Sequence, residues 1–496
     1  MNSKRVAIIG AGAGGLAAAV DMARVGWQVD LFERSNTIGG KMRRLQVAGK
    51  AIDAGPTVFT MRWVFEQLFA DAGHNFQQAV HHRSTQCLAR HFWTQGGQLD
   101  LHPNVAESTN AIANFSNAQE AEGYRQFMAD SACLYELLKD SFMAADKPNP
   151  MTLARRMGLG GLLQLAKIAG TRNYWQQLDR YFRDPRLKQL FGRYATYVGS
   201  SPLQSPALLM LIAWVEQTGV WLLPGGMHSL ACAMAQLAAD LGVRIHLGAD
   251  ITKLDVHKGR VSGVTIGSSD KIKFDAVVYN GDFAALSSGE LGEHVRPAAP
   301  VVRPAQRGLS AITWCANART GGAPLQYHNV CFSDHYAEEF KAIFERKQIT
   351  TTPTVYVCAQ DRIDGHVPSE SERLLLLINA PASGDLAPMN TENIERLREL
   401  TWQVLADCDI HIDYQRDNST STSPAEFHQL FQGSGGSLYG RATHGLMSSF
   451  ARPGARTAIK GLYLAGGTVH PGPGVPMATL SGRLAANALL ADQANG

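Results

Sequence analysis

The chain has 496 residues, 45% hydrophobic and 18% charged, enough for two or three domains with a full core and too apolar for a disordered polypeptide. A net charge of +3 excludes the dense positive surface that nucleic-acid binding needs. The seven cysteines are scattered and contain no CxxC pair, so they are expected to be reduced thiols in a cytosolic compartment.

The N-terminal stretch 4–44 organises the rest. Arg5 to Ile9 is a short apolar run suited to a buried parallel strand. It feeds a glycine turn, so it is not expected to be a signal peptide. Gly10-x-Gly12-x-x-Gly15 follows, then Leu16, Ala17, Val20 and Ala23 at helical spacing. Gly26 stops the helix, and Gln28 to Phe32 reads as a second strand closed by Glu33. Glycines set between a strand and a helix, with a further strand and an acid behind them, predict a βαβ dinucleotide site. Gly10 permits the tight turn, Gly12 lets backbone approach a pyrophosphate, and Gly15 lets helix and strand pack closely. The helix N-terminus offers free N–H groups to phosphates, and Glu33 is placed to accept from ribose hydroxyls.

Gly39-Gly40-Lys41-Met42-Arg43 brings a second glycine turn toward a long cofactor, with Lys41 and Arg43 facing phosphates. Gly55-Pro56-Thr57 is a small-residue turn that can pass beside a flat ring. From about 77 to 98 the pattern is strand-like, and from about 104 to 219 it is mostly helical. Within the helical stretch, 152–170 is leucine-rich and carries Arg155, Arg156 and Lys167. That pattern fits a helix on the core or one lying in a membrane interface. Residues 203–215 are almost continuously apolar, but no run reaches the roughly 18 residues of a spanning helix. The aromatics of 181–197 fit a core filling or the lining of a substrate channel.

An α/β pattern returns over 220–282. It has a turn at Pro224-Gly225-Gly226, an alanine-rich helix over 230–241, and a strand over 243–247 that continues after a kink into 251–254. A further strand covers 261–266. Ala276 to Tyr279 is predicted to rejoin the first sheet, with Asn280 and Gly281 at a strand end where ligands collect. Strands over 354–359 and 374–380 and a helix over 393–408 suggest a sheet that roofs a pocket. Near the C-terminus a strand at Leu462 to Leu464 runs into a glycine- and proline-rich loop, Gly466 to Pro476, and then an alanine-rich helix over 477–490. The prolines stiffen the loop, and the helix behind it presents a second positive end.

Taken together, GxGxxG, GG-K-x-R, AGPTVF, GVWLLPGGM, NGD and YLAGGTVHPGPGVP resemble the carotenoid desaturase family of the bacterial phytoene-desaturase type. The resemblance covers nearly the whole chain and is strongest over 5–60, 191–282 and 433–490. Within that family the chain is most similar to the 1-hydroxycarotenoid 3,4-desaturases, also called methoxyneurosporene dehydrogenases. It implies an α/β flavoprotein of glutathione-reductase-like type, with FAD as cofactor. The expected organisation is a Rossmann-type FAD-binding domain from 1–76, 220–290 and 433–496. A mixed-sheet substrate domain is expected from 77–103 and 291–432, and a helical, membrane-facing region from 104–219. The implied FAD contacts are Gly10, Gly12, Ala13, Gly14 and Gly15 at the pyrophosphate, and Glu33 and Arg34 at the adenosine ribose. Gly40, Lys41 and Arg43 would face phosphate or flavin, Gly55, Pro56 and Thr57 the isoalloxazine, Ile251 the adenine, and Gly467, Val475 and Pro476 the pyrophosphate and flavin. One departure is visible: NGD (280–282) stands where many relatives have NAD, which is expected only to loosen a local turn.

The resemblance also implies a long polyene substrate, a peripheral position on the cytoplasmic side of the membrane, and a quinone or oxygen as electron acceptor. Desaturation removes a hydride and a proton from neighbouring carbons, and an allylic hydride to flavin N5 is the accessible route because the polyene delocalises the cation. Such chemistry needs an apolar tunnel more than a catalytic triad. His470 is the candidate polar residue at the flavin, with Glu216 and His228 as weaker ones. There is no HExxH metal motif and no second dinucleotide fingerprint, so neither a metal nor NAD(P)H is expected. Alternatives are a multi-step phytoene- or neurosporene-type desaturase, a carotenoid isomerase, a more distant amine oxidase, and a non-catalytic carotenoid-binding protein.

Overall fold

Strand Arg5–Ile9 lies at the centre of a five-stranded parallel sheet because its middle residues, Val6, Ala7 and Ile8, tolerate burial on both faces. The structure, a computed structural model, describes residues 4–494. The sheet runs Leu462–Leu464, Ala276–Tyr279, Arg5–Ile9, Gln28–Phe32 and Arg244–His246. Helix Ala13–Ala23 lies against it, between Gly226–Asp240 and the C-terminal helix Val475–Ala494. Strand Ala276–Tyr279 therefore does rejoin the first sheet.

The expected continuation of 243–247 into 251–254 does not occur. Gly248 takes a positive φ of 65°, the chain turns away, and Ile251–His257 opens a separate antiparallel sheet with Arg260–Ile266 and Asp270–Lys273.

A seven-stranded mixed sheet forms the second layer, ordered Ser419–Thr422, Ser310–Ala318, Glu372–Ala380, Val355–Ala359, His328–Phe332, Ala89–Trp93 and Gln98–Leu101. All its pairs are antiparallel except His328–Phe332 with Ala89–Trp93. Its strands come from within 77–103 and 291–432, and those of the parallel sheet come from within 1–76, 220–290 and 433–496.

Between Val105 and Gln217 the chain is helical. Asn104, Asn117, Asn149, Asn173 and Asp184 cap five of its helices, each accepting backbone N–H groups through its side chain. Helix Ala13–Ala23 differs: Gly12 stands at its cap and no side chain closes its first turn. Among the described residues no helix is long and apolar enough to cross a membrane.

The two ends of the chain meet at glycines. A Cβ on Gly482 would lie 1.9 Å from the Gly14 carbonyl oxygen, and one on Gly14 would lie 2.8 Å from the Ala478 carbonyl oxygen. Gly482→Ala is expected to cost about 1–3 kcal/mol through overpacking. Gly160→Ala, a helical position with nothing within 4 Å, should be neutral or slightly stabilising. Denaturant melts of the two variants, compared with wild type, measure the difference.

Candidate active site

One cavity of about 940 Å³ runs from the ends of the parallel strands to the face of the seven-stranded sheet. Its lining includes Gly10, Gly12, Ala13, Gly14, Glu33, Arg34, Gly40, Lys41, Arg43, Gly55, Pro56, Thr57, Ile251, Gly467, Val475 and Pro476. Gly15 stands directly behind the loop, where a Cβ would meet the Gly10 carbonyl oxygen at 2.0 Å. Residues separated by more than 450 positions thus form one wall.

The geometry fits a dinucleotide. Gly12 and Gly40 approach so closely that a Cβ on Gly40 would lie 3.2 Å from Gly12 Cα. Asn280 Nδ2 donates to the Gly10 carbonyl at 3.0 Å and fixes the glycine turn against the strand end. Glu33 Oε2 accepts from the Ala11 N–H at 2.8 Å, and Oε1 accepts from the Ser35 N–H at 2.9 Å. These bonds hold the carboxylate at the turn and leave lone pairs for ribose hydroxyls. The open first turn of Ala13–Ala23 supplies free N–H groups beside it.

Charge fits as well. Arg452 is buried, Lys41 and Asp282 are half-buried, and all three line the same region. Lys41 Nζ donates to the Leu438 carbonyl at 2.6 Å, and the Arg452 guanidinium donates to the carbonyls of Tyr439 and Arg441. Burial pulls the Lys41 ammonium below its ordinary pKa and brings Arg452 down to about 10, while burial pushes the Asp282 carboxyl up. Two cations face one carboxylate, and the pyrophosphate of a bound dinucleotide would supply the missing negative charge. Arg43 lies close by, with Nη2 on the Thr422 hydroxyl at 2.8 Å and its guanidinium over the Phe427 ring. The Arg34 guanidinium instead donates to the carbonyls of Gln429 and Leu430.

The candidate catalytic residues separate. His470 is absent from the cavity lining. Its Nε2 lies 3.0 Å from the Ala145 carbonyl, its ring meets Phe142 edge-on, and burial lowers its pKa to about 4. His470 thus ties its loop to the helical region. His228 is also outside the lining, with Nδ1 2.8 Å from the Met42 carbonyl. Glu216 does line the cavity, but its carboxylate is enclosed. It accepts from Arg193 Nη2 (3.1 Å), the Tyr194 hydroxyl (2.9 Å) and the Tyr197 hydroxyl (2.5 Å). That cluster is a polar brace under the sheet.

Beyond the turn at Gly55-Pro56-Thr57 the wall becomes apolar. Leu138, Phe142, Met143, Leu208, Leu209, Ile212 and Val215 come from the helical region, and Val330, Leu375 and Leu377 from the sheet. Thr57 and Tyr356 share a hydrogen bond between their hydroxyls at 2.7 Å, and the Tyr356 hydroxyl lies 2.7 Å from His328 Nδ1. Burial pushes His328 down to about 3, so this imidazole is neutral. The departure at NGD has a cause here: a Cβ on residue 281 would meet the Tyr279 hydroxyl at 2.3 Å, so glycine accommodates the tyrosine. Among the described residues no group of three or more His, Cys, Asp or Glu is placed to hold a metal ion.

A model of the flavin-containing amine oxidoreductases matches residues 13–490. A hydroxyneurosporene desaturase of Rubrivivax gelatinosus is 45% identical over 493 residues, covering 99% of this chain and 94% of that protein. A 1-hydroxycarotenoid 3,4-desaturase of a Flavobacterium species is 29% identical and covers 98% of each chain. Among solved structures, a putrescine oxidase bound to putrescine superposes with a TM-score of 0.62 at 14% identity, covering 99% of each chain, which speaks to the fold alone. Glu33→Gln is expected to weaken flavin binding about 10–100-fold, the loss of one or two bonds to a charged acceptor. Titration of the flavin-free protein with FAD, followed by flavin fluorescence, reads that change.

Proposed function

Because the chain belongs to the flavin-containing amine oxidoreductase family, and within it to the FAD-dependent carotenoid desaturases, we propose that it introduces the C-3,4 double bond into acyclic 1-hydroxycarotenoids. The observation that carries the reading is the single cavity, with a charged, glycine-lined end for a dinucleotide and an apolar end for a polyene. Hydroxyneurosporene desaturases among its relatives support the hydroxylated substrate, and the Flavobacterium relative supports the position of the bond. FAD, when bound, supplies two-electron oxidation by accepting a hydride from the allylic carbon, while a proton leaves the neighbouring carbon.

The chain's own residues bind, orient and exclude water. Leu375 and Leu377 alternate with core residues along Glu372–Ala380, so one face of the strand presents apolar side chains to the cavity. Glycine at 55 lets the Gly55-Pro56-Thr57 turn pack directly on the chain at Lys41, since a Cβ there would lie 1.8 Å from the Lys41 carbonyl oxygen. Holding the reacting carbons in place and keeping water away are the terms such a site contributes to rate. Electrons then pass to a quinone or oxygen. The presence of one dinucleotide fingerprint supports a route without NAD(P)H.

The protein is further proposed to sit on the cytoplasmic side of the membrane as a peripheral protein. Helix Pro150–Ile168 is kinked at Gly158 (φ 67°); it exposes Met151 before the kink and Leu159 and Leu163 after it, at 81%, 82% and 72%, and carries Arg155, Arg156 and Lys167. Its Arg156 donates to the carbonyls of Ser141 and Asp146, next to cavity residues Phe142 and Met143. An apolar face with basic flanks beside the apolar end of the cavity suits transfer of a polyene from an anionic bilayer.

Two measurements test these readings. Purified protein with membranes should red-shift the absorption of a 1-hydroxylated acyclic polyene by one conjugated bond, and leave phytoene unchanged. Equal multi-step conversion of phytoene would favour the alternative desaturase instead, and absence of any conversion would exclude the enzyme. In flotation with anionic vesicles, Leu159→Asp with Leu163→Asp should lower bound protein about tenfold or more, since each removes an inserted apolar side chain. Unchanged flotation would exclude this helix as the membrane contact.

A further inference from the structure

The polyene end of the cavity is not uniformly apolar. On the sheet face, Thr354 and Asn379 stand directly opposite each other, set by the pairing of Val355 with Ile378 and of Tyr356 with Leu377. Both line the cavity, as does Tyr336. Tyr336 opens helix Tyr336–Lys341, and Glu339, one turn on and on the same face, lies wholly buried behind the pair. Glu339 Oε1 accepts from Asn379 Nδ2 at 2.9 Å, and Oε2 accepts from the Thr354 backbone N–H at 3.0 Å. One N–H of the Asn379 amide is thus given to Glu339, which orients the amide and leaves its oxygen as an acceptor. The Tyr336 hydroxyl, on a side chain of a residue 3% exposed, has no hydrogen-bond partner, and the Thr354 hydroxyl, whose polar neighbour is the Glu339 carboxylate, makes no bond of full hydrogen-bond geometry.

Buried hydroxyls without partners are costly, and they are most costly in a cavity that is to be filled with hydrocarbon. The neighbouring Arg193–Glu216 cluster is different, because Glu216 and the tyrosines around it are bonded to one another. The Tyr336, Thr354 and Asn379 group offers both donors and an acceptor to something that enters. A tertiary alcohol needs one of each.

Position agrees with this. In a 1-hydroxylated polyene desaturated between C3 and C4, the oxygen is three bonds from C3 and four from C4, within about 5 Å at roughly 1.5 Å a bond. The group that reads the hydroxyl must therefore stand close to the reacting carbons. Thr354 is two residues from Tyr356 on one strand face, roughly 7 Å along it, and Tyr356 is bonded to Thr57 in the turn that faces the dinucleotide end.

Resting on the proposed reading of the substrate, we infer that Tyr336, Thr354 and Asn379 form the site that binds the C1 hydroxyl, setting which end of the polyene enters and which bond is placed for oxidation. The hydroxyl donates to Asn379 Oδ1 and accepts from Tyr336, with Thr354 as the third partner. The three are specificity residues, and Glu339 orients Asn379.

The test compares the FAD-loaded wild type with Tyr336→Phe combined with Thr354→Val, which removes the two hydroxyls, and with Asn379→Leu. Two ligand pairs are used: a 1-hydroxylated acyclic polyene against the same polyene without the hydroxyl, for kcat/KM, and their 3,4-desaturated counterparts, for equilibrium binding without turnover. Wild type is expected to prefer the hydroxylated member of each pair. The variants should lower that preference about tenfold or more, by weakening the hydroxylated ligand while leaving the plain one unchanged. A variant that weakens both ligands equally, or keeps the wild-type preference, overturns the inference and leaves the proposed function standing. A wild type that desaturates both polyenes without preference overturns the hydroxylated-substrate reading and this site with it.

Discussion

The constraint on which the dinucleotide end rests is the contact between the first and last helices. Gly14 and Gly482 bring backbone against backbone, with no room for a Cβ on either side. Asn280, arriving from the middle of the chain, bonds to Gly10 between them. This three-way junction puts the open N-terminus of Ala13–Ala23 and the 466–476 loop on one wall. Everything at the dinucleotide end depends on it. The caps of the helical region show the contrast: those helices end on Asn and Asp side chains, while the junction helix keeps its N–H groups free for a ligand.

From that junction the cavity changes character in one direction. Near it stand Lys41, Arg452 and Asp282, charges whose balance the pyrophosphate of a bound dinucleotide would complete. Past the Gly55–Thr57 turn, alternation along the seven-stranded sheet supplies leucines, and the helical region closes the other side. The polar residues in this part divide into two sets. Arg193, Tyr194, Tyr197 and Glu216 are hydrogen-bonded to one another and hold the wall in place. Tyr336 and Thr354 are not, and their hydroxyls become useful when a substrate brings an oxygen of its own.

Much of the dinucleotide end is legible in the sequence because its determinants are local. The glycines, the strand before them and Glu33 fall within one βαβ unit, and the spacing alone places them. The C-terminal loop is legible for a similar reason, since its prolines and glycines exclude regular structure. The rest is built from distant residues. Lys41, Asp282 and Arg452 meet only after folding, and nothing near any of them announces the others. Asn379 and Thr354 are paired by strand register, and Tyr336 joins them from a helix, so no motif spans the three. His470 misleads because its neighbours are the right ones: the loop does line the cavity, but the imidazole turns back to Ala145. Glu216 lines the cavity as a sequence reading allows, yet its partners, which decide its chemistry, lie some twenty residues earlier. The chain leaves the parallel sheet at Gly248 by a positive-φ turn that a run of β-forming residues does not reveal, and its next strand joins another sheet.

The central claim is that one flavin, clasped by both ends of the chain, opens onto a corridor shaped for a polyene. Rapid anaerobic mixing of the FAD-loaded protein with a 1-hydroxylated acyclic polyene tests it most directly. The account predicts that the oxidised-flavin absorbance falls as the polyene absorption shifts to longer wavelength, at the same rate and one for one. A flavin absorbance that stays constant while the polyene is converted, or a polyene that leaves the flavin untouched, would contradict it.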